Sequence, residues 1–462
     1  RRDHRPPTPP AGLKNTMTMK RLFYLSALCG ILLSGGCTDE NEAYPGSLPN
    51  PYNALAGDAK SYPACITVSY RVAADAVNDG YRYGVCWNTT GRPTIEDDYQ
   101  YGPQKPSDGT ALMQIIPNTR LKYGVTYHFR AFVIADSQVY YTDETTAALD
   151  GESLAPIDLE WTRQEFAGLP SGIEVYKTTS DLNGRKFQAW YAVADCSGEE
   201  VELRVQDPGN PNGVTVDGQF TDDCYVLING GLFDFTTHVH DGIKVIDGVL
   251  TGTVYNPRGS WNAGDAEEYN RWYQVTRGIF GVDDSGKPSI FWAGTANERT
   301  SYYAHPLPSV RGEAQYAAVS NVLPTTPTEW APRFAVGCGP VLMRGGECLI
   351  DGAVTEKGYQ LTDYEIWTDG LALASYRADQ TIVGYTADGK VILFICDGRV
   401  EGLSLGATHR EACAILKSLG CVDALKLDGG GSTAMVVCKE HVNDLTGGNR
   451  PVATTLGFFK KQ

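Results

Sequence analysis

The stretch Ala424–Val437, which reads ALKLDGGGSTAMVV, decides the fold. Its pattern predicts a short apolar strand, a turn with one acid and three glycines, two hydroxyl residues and a second apolar strand. Successive backbone amides without neighbouring side chains can form a concave nest that binds an anion. A tight hairpin that only tolerates glycine is the alternative. The loop residues with possible ligand contacts are Asp428, Gly429, Gly430, Gly431, Ser432 and Thr433.

Three other stretches join buried-type strands to glycine turns. They read CYVLINGGLF at Cys224–Phe233, FAVGCGPVLM at Phe334–Met343 and IVGYTADGKVILFICDGR at Ile382–Arg399. Together with the glycine loop, and in this order, they resemble the phosphodiester glycosidase family over about residues 155–462. The resemblance implies a hydrolase that cleaves the glycosidic bond between a sugar, with N-acetylhexosamine the leading candidate, and a phosphodiester-linked phosphate.

Two aspartates are the candidate catalytic residues. Asp397 and Arg399 follow the predicted strand Val391–Cys396, and Asp428 follows the apolar run before the glycine loop. If these strands are neighbours, both carboxylates lie at one edge of the sheet, and glycoside hydrolysis requires such a pair. A surface ion pair between Asp397 and Arg399 is the alternative. The sequence does not say which aspartate is nucleophile or base.

Phosphate binding is expected from cationic and polar groups near these acids. Breaking a sugar–phosphate bond releases a phosphate monoester, so neutralising the phosphate matters more than a strong general acid. Arg399 supplies a planar fork that binds phosphate oxygens through two hydrogen bonds. Asn229 and Gly230, at the end of another predicted strand, are expected to contact sugar or phosphate, or else to form a plain turn.

One departure from the family pattern precedes Gly384. The family usually has an Arg-Thr pair there, whereas this chain has Gln380 and Thr381. Arg377 lies three residues before Gln380, and a shifted loop would bring it to the phosphate. Otherwise the natural substrate differs or activity is lost.

A histidine pair offers a possible metal site. His238 and His240 alternate, and alternate residues of a strand share a face, so they could bind a metal together with Asp241. A surface strand without a metal is the favoured interpretation, and no cofactor is predicted. His305, His409 and His441 are scattered along the chain, so a Ser–His–Asp hydrolase has no support.

The charge balance restricts the partners. Arg and Lys total 39 against 55 Asp and Glu, which gives a net charge of −16. This acidity argues against nucleic acid and against anionic membrane surfaces. The expected partner is a sugar-phosphate or glycan, whose phosphate needs a locally positive site. The sequence leaves the oligomeric state open.

Residues 1–37 are predicted to be a leader and lipoprotein signal peptide. The apolar run Leu22–Leu33 follows two basic residues and is too short to span a bilayer. Small residues before Cys37 resemble a lipobox, so Cys37 is the predicted lipidation site, with plain secretion as the alternative. We expect an exported outer-membrane lipoprotein of a Gram-negative bacterium, attached to the membrane only through its lipid. The acidic residues after Cys37 favour exposure at the cell surface.

Two domains are expected after the linker 38–49. Short alternating runs in residues 50–148 predict a small all-β sandwich that resembles fibronectin type III modules and acts as a spacer. Frequent Asp-Gly and Asn-Gly pairs in residues 155–462 predict a β-rich α+β domain with a mixed, mainly antiparallel sheet. The capping box Thr408–Glu411 predicts one helix that stops at Gly420. Cysteines within apolar runs are expected to be free and buried.

Two other functions compete with the glycosidase. A non-catalytic surface glycan-binding lipoprotein is favoured by Gln380. A metal-dependent phosphodiesterase that cuts the P–O bond would hold its metal near His238 and His240.

Overall fold

The computed structural model describes residues 56–62, 65–71, 82–102, 111–135, 137–254, 275–296, 298–306, 327–350, 365 and 377–462. The predicted signal peptide, the lipidation site Cys37 and the linker 38–49 lie outside these residues. No helix within the described ranges is long and apolar enough to cross a membrane.

The first described part of the chain is all-β. Its strands form a three-stranded sheet, β1-β2-β5, and a second sheet, β4-β3-β6-β7, to which β8 adds on β6. Side chains from both sheets, such as Tyr70 and Trp87, share one buried core. The sandwich is therefore present, while its likeness to fibronectin type III modules stays a prediction. The strands are β1 Ala56–Tyr62, β2 Cys65–Arg71, β3 Arg82–Asn88, β4 Asp98–Tyr101, β5 Ala111–Pro117, β6 Thr126–Ala135, β7 Gln138–Tyr141 and β8 Thr145–Ala148.

The rest of the described chain consists of short strands and one α-helix. The helix α1 spans His409–Ser418, between β23 and β24. The strands are β9 Thr162–Gln164, β10 Ile173–Thr178, β11 Ala189–Ala194, β12 Val201–Gln206, β13 Cys224–Asn229, β14 Lys244–Ile246, β15 Val249–Thr251, β16 Arg277–Val282, β17 Pro288–Ala296, β18 Arg299–Tyr303, β19 Phe334–Gly337, β20 Val341–Arg344, β21 Glu347–Cys348, β22 Gln380–Thr386, β23 Val391–Cys396, β24 Cys421–Lys426, β25 Met435–Val437, β26 Glu440–His441 and β27 Thr455–Lys460.

Three sheets pack around the main core. The eight-stranded sheet has the strand order β21-β20-β24-β22-β23-β11-β10-β9. The five-stranded sheet has the order β12-β27-β13-β25-β26, and the six-stranded sheet has the order β15-β14-β19-β16-β17-β18. β23 is buried along its whole length, which explains its unbroken apolar sequence. Apolar side chains of all three sheets meet in one cluster. Each large apolar side chain buried there contributes about 1.5–3 kcal/mol.

The prediction of a β-rich α+β class is confirmed, with one correction. Every ladder between the named strands of the eight-stranded sheet is antiparallel, so this sheet is not mixed. The hairpins β20–β21 and β22–β23 favour this result, because tight turns join antiparallel neighbours only.

The predicted helix is confirmed together with its caps. Thr408 Oγ1 accepts a hydrogen bond from Glu411 N at 3.2 Å, and Glu411 Oε2 accepts one from Thr408 N at 2.9 Å. Ala412, Ile415 and Leu416 are buried against the eight-stranded sheet. The helix ends before Gly420, whose φ of 82° is one that side chains disfavour.

The two parts of the chain are in direct contact. Asn118 Nδ2 donates to the Cys348 carbonyl at 3.0 Å, although the residues are 230 positions apart. Ser153 Oγ donates to Glu347 Oε2 at 2.7 Å. The cysteines of the described ranges are free, and all but the half-buried Cys438 are buried, as predicted.

Candidate active site

Three aspartates meet at one edge of the eight-stranded sheet. β22 lies between β23 and β24 and is antiparallel to both, so β23 and β24 run in the same direction. Their carboxyl ends therefore reach the edge at which β22 begins. Asp397 follows β23, Asp428 follows β24 by two residues, and Asp379 immediately precedes β22. The predicted pair thus shares an edge, although its strands are not direct neighbours.

Asp379 is a site residue that the sequence analysis missed. Its carboxylate is almost fully buried and accepts hydrogen bonds from Arg399 Nε at 2.8 Å and Thr446 Oγ1 at 2.6 Å. Its carbonyl accepts one from Gly430 N at 3.0 Å. Arg399 is therefore paired with Asp379 and not with Asp397. The sequence feature that could have indicated Asp379 is the predicted hairpin β22–β23. Its register places Asp379, just before β22, beside Asp397, just after β23.

Asp397 is buried and supports neighbouring residues. Its side chain has no exposed surface, and its two oxygens accept hydrogen bonds from Gln188 Nε2 at 2.8 Å and Asn443 Nδ2 at 3.2 Å. Burial raises the pKa of Asp397 to about 6, and these hydrogen bonds oppose the rise. The geometry does not fit the predicted catalytic role, because the carboxylate is fully buried and both of its oxygens already accept hydrogen bonds within the protein. Asp397 instead anchors the segment from Asn443 to Thr446.

Asp428 begins the glycine loop and lies among cations. Its Oδ1 accepts a hydrogen bond from Gly429 N at 2.9 Å. Burial raises the pKa of Asp428, whereas the Ser432 hydroxyl and the charges of Lys426 and Arg450 lower it. Lys426 is itself buried, which lowers the pKa of its ammonium group, and its Nζ donates to the Leu427 carbonyl at 2.9 Å. Asp428 is thus a buried carboxylate whose ionisation depends on nearby positive charge.

The glycine loop does not form the predicted anion nest. Gly430–Ser432 is one turn of 3₁₀ helix. Ser432 N and Thr433 N donate to the carbonyls of Gly429 and Gly430 at 3.2 and 3.1 Å. Because the amides of Gly429 and Gly430 also donate within the protein, this loop offers few backbone donors to an anion.

Two guanidinium groups lie against the glycine loop, which explains its glycines. A Cβ at Gly430 would lie 3.3 Å from Arg399 Nη2, and a Cβ at Gly431 would lie 2.4 Å from Arg450 Nη2. Arg450 Nη1 donates to Ser432 Oγ at 3.2 Å. Arg450 was not predicted, since no motif marks it and 18 residues separate it from Ser432. Because glycines have no side chain, the guanidinium groups can approach the loop closely, and these cations rather than backbone amides are the positive groups at the loop.

Comparison with known proteins identifies the family. The phosphodiester glycosidase model matches residues 222–459, which include the aspartates and both arginines. The chain belongs to the phosphodiester glycosidase family. No curated protein matches the chain.

Three solved structures are similar to this chain. The catalytic domain of zebrafish N-acetylglucosamine-1-phosphodiester alpha-N-acetylglucosaminidase, auto-inhibited by its pro-peptide, has 18% identity and a TM-score of 0.41 over 66% of this chain and 88% of that chain. A hypothetical protein from Synechocystis has 16% identity and a TM-score of 0.40 over 88% and 99%. A putative exported protein from Burkholderia pseudomallei has 16% identity and a TM-score of 0.36 over 88% and 97%.

Asn229 and Gly230 hold the glycine loop of this family member in place. Asn229 is fully buried: its Nδ2 donates to the Asp428 carbonyl at 2.7 Å, and its Oδ1 accepts from Thr381 Oγ1 at 2.9 Å. Thr433 Oγ1 lies 3.1 Å from the same Thr381 hydroxyl. A Cβ at Gly230 would lie 2.3 Å from Thr454 Oγ1. The predicted substrate contacts of Asn229, Gly230 and Thr433 are therefore replaced by structural ones.

Arg377 does not replace the missing family arginine at the site. Its guanidinium donates to the Gly406 carbonyl at 3.0 Å and pairs with Glu411 of α1. Gln380 Nε2 donates to the Ala407 carbonyl at 2.9 Å, on the side of the sheet that α1 covers. Strand alternation explains this direction, because Thr381 is the residue that faces Asn229. The predicted phosphate contact of Arg377 is thus not observed.

The two histidines do not form a pair. A turn capped by Asp234 Oδ1 precedes His238, whose φ is 51°, so no strand aligns His238 with His240. His238 stacks on Phe233. His240 is buried with Nε2 3.2 Å from the Ile243 carbonyl, and burial lowers its pKa to about 4. Within the described ranges, no group of three or more His, Cys, Asp or Glu side chains is placed to hold a metal.

Proposed function

We propose that the chain hydrolyses the C1–O bond between a sugar, an N-acetylhexosamine or a close analogue, and a phosphodiester-linked phosphate. The observation that carries the proposal is the approach of Arg399 and Arg450 to the glycine loop that begins at Asp428. Membership of the phosphodiester glycosidase family supports the same reaction class.

Arg399 and Arg450 are assigned to the phosphate. Each is oriented by an internal partner, Arg399 by Asp379 at 2.8 Å and Arg450 by Ser432 at 3.2 Å. Donors fixed in advance stabilise developing charge without reorganising during the reaction. The two guanidinium groups would therefore stabilise the leaving phosphate monoester as the bond to the sugar breaks.

Asp428 is assigned to the sugar side of the reaction. Water adds to C1 while its proton passes to the Asp428 carboxylate, and the C1–O bond breaks with its electron pair on the phosphate oxygen. A base is most effective when its pKa lies close to the working pH. Burial raises the pKa of Asp428 in this direction, and the charges of Lys426 and Arg450 oppose the rise.

Phe235 is assigned to the face of the sugar ring. It is 67% exposed, unusual for so large an apolar side chain. The Arg450 guanidinium lies 5.3 Å from the centroid of its ring, so the aromatic surface is next to the assigned phosphate site. An aromatic ring provides apolar area for the C–H face of a sugar.

The test is hydrolysis of a panel of sugar 1-phosphodiesters in ¹⁸O-labelled water. We expect the label in the sugar, because C–O cleavage adds the water oxygen to C1. Label in the phosphate would instead demonstrate P–O cleavage and contradict the proposal. Asp428→Asn should abolish turnover. Asp388→Asn is the matched control, because Asp388 is exposed in the turn at the opposite end of the β22–β23 hairpin.

The competing functions have less support. Gln380 favoured a binding-only protein, but its side chain is directed toward Ala407 rather than toward the three aspartates. The metal-dependent phosphodiesterase relied on a shared face for His238 and His240, which the turn at Asp234 prevents. The exported location and the lipid on Cys37 remain part of the proposal, on the basis of the sequence alone.

A further inference from the structure

A cleft lies at the end of the six-stranded sheet where β19 begins. Gly337, at the end of β19, approaches Gly231, which follows β13. The other end of β19 begins at Phe334, and the residues just before it line the cleft. The cleft has a volume of about 530 Å³. Pockets that bind small molecules have volumes of roughly 300–1,000 Å³. Its size therefore fits one or two sugar units.

One wall of the cleft is aromatic. Trp330 lies 5.0 Å from Phe291 and 4.9 Å from Tyr302, measured between ring centroids, and the Tyr302 ring is nearly perpendicular to the indole. These contacts hold Trp330 in one orientation. Trp330 and Tyr302 line the cavity together with Leu250, which is 39% exposed. The cleft thus combines a fixed aromatic surface with exposed apolar area.

Another part of the cleft wall carries exposed charges. Asp247 and Asp284 line the cleft with Arg333. Arg333 Nη2 lies 3.5 Å from Asp247 Oδ1, and Nη1 lies 3.4 Å from Glu202 Oε2. Ionised carboxylates only accept hydrogen bonds and a guanidinium only donates them. A hydroxyl group can do both, so a ligand with several adjacent hydroxyls matches this wall.

We propose that this cleft binds an uncharged saccharide, with its C–H face on Trp330 and its hydroxyls toward Asp247, Asp284 and Arg333. Arg333, the one cation among the described residues that line the cleft, already shares its charge between Asp247 and Glu202, so a phosphorylated or acidic sugar is repelled. An aromatic surface beside charged hydrogen-bonding groups matches the alternating apolar and hydroxyl surfaces of a sugar ring. This proposal is independent of the hydrolytic function, since it uses none of the residues at the glycine loop.

The experiment is calorimetric titration of the full chain with N-acetylglucosamine, galactose and a β-linked disaccharide, with glucose 1-phosphate as the charged comparison. We expect binding of at least one neutral sugar that survives Arg450→Ala, whereas any binding of glucose 1-phosphate should be lost in Arg450→Ala. The double substitution Asp247→Asn with Asp284→Asn should weaken that binding about tenfold, because charge-assisted hydrogen bonds are lost at exposed positions. Trp330→Ala should weaken it further, with Trp161→Ala, at a distant aromatic contact with Tyr191, as its control.

The outcomes separate this cleft from the glycine loop. Absence of binding for every neutral sugar, or equal affinity of the Arg450→Ala variant for the phosphate, contradicts the proposal. So does binding that persists in both cleft variants but disappears in Arg450→Ala, since the sugar would then occupy the glycine loop. Sugar binding that survives Arg450→Ala and fails in the cleft double variant supports the cleft, whether or not the chain hydrolyses a phosphodiester.

Discussion

The glycine loop and the aromatic cleft differ in the balance of their charged side chains. Three cations, Arg399, Arg450 and Lys426, lie against the glycine loop and equal in number the three aspartates at that edge of the sheet. In the cleft, Asp247 and Asp284 outnumber Arg333. In a chain with a net charge of −16, an acidic cleft needs no special construction, whereas a concentration of cations does. The comparison shows that the fold gathers three cations at the loop and one in the described lining of the cleft, so the loop is the better site for an anionic ligand.

Burial separates the two regions as well. Asp428 and Lys426 are at most 7% exposed, while the Asp247 side chain is 67% exposed. Charges interact more strongly where water is excluded and are screened where water and salt have access. Substitutions at the loop should therefore have large effects, and neutralising the cleft should have small ones.

The largest expected effect is that of Asp428→Asn. The amide cannot accept the proton of the attacking water, so kcat should fall by about 10²–10⁴-fold. Steady-state turnover of a sugar 1-phosphodiester measures the change. Saccharide binding in the cleft should be unaffected. A variant with wild-type kcat would remove Asp428 from the mechanism.

The second effect concerns the arginine that the sequence analysis missed. Arg450→Ala should reduce kcat/KM by about 10²–10³-fold, because one preorganised donor to the leaving phosphate is lost. Arg450→Lys retains the charge but not the planar fork, so it should recover only part of the loss. If Arg450→Ala and Arg450→Lys have the same kcat/KM, the geometry of the guanidinium group matters more than its charge. If Arg450→Ala is fully active, the phosphate site lies elsewhere.

A smaller effect is expected for Gly431→Ala. Its Cβ would lie 2.4 Å from Arg450 Nη2, so the guanidinium must move. We expect KM for the phosphodiester to rise about tenfold with little change in stability, since Arg450 is a flexible side chain at this contact. Gly198→Ala is the control, because a Cβ there meets nothing within 4 Å. Equal kinetics for the two variants would argue against guanidinium placement as the reason for the glycine.

The smallest effect is a shift in the pH profile. Asp428 must be ionised to act as base, so kcat/KM should fall as pH decreases through its pKa. Burial raises that pKa, which places this acid limb above the pH at which an exposed aspartate ionises. The Arg450 charge lowers the pKa, so Arg450→Gln should move the limb to higher pH. An unchanged limb in Arg450→Gln would mean that another group controls it.

The local elements of this fold were predictable from the sequence. The capping box at Thr408 specified where α1 starts, since its hydrogen bonds join residues three apart. The shared edge of Asp397 and Asp428 was also predicted, from the position of each residue after an apolar strand. Such features depend on short-range patterns that a single sequence displays.

The composition of the site was harder to predict, because strand register and distant contacts determine it. Asp379 meets Arg399 only through the antiparallel register of β22 and β23. Arg450 reaches the loop from the segment before β27, with no motif around it. The prediction of an amide nest was wrong for a related reason. The 3₁₀ turn and the Asp379 carbonyl occupy the backbone amides of the loop, and the presence of three glycines does not reveal these hydrogen bonds.

The free cysteines have a consequence for handling the protein. Within the described ranges every cysteine except Cys438 is buried, so oxidants and alkylating reagents reach these thiols only when the fold opens. Unfolding in air would then expose many thiols at once, and random crosslinks between them would trap the chain in non-native forms. Thermal denaturation should consequently be reversible only under reducing conditions, and the rate of thiol alkylation would report directly on opening of the core.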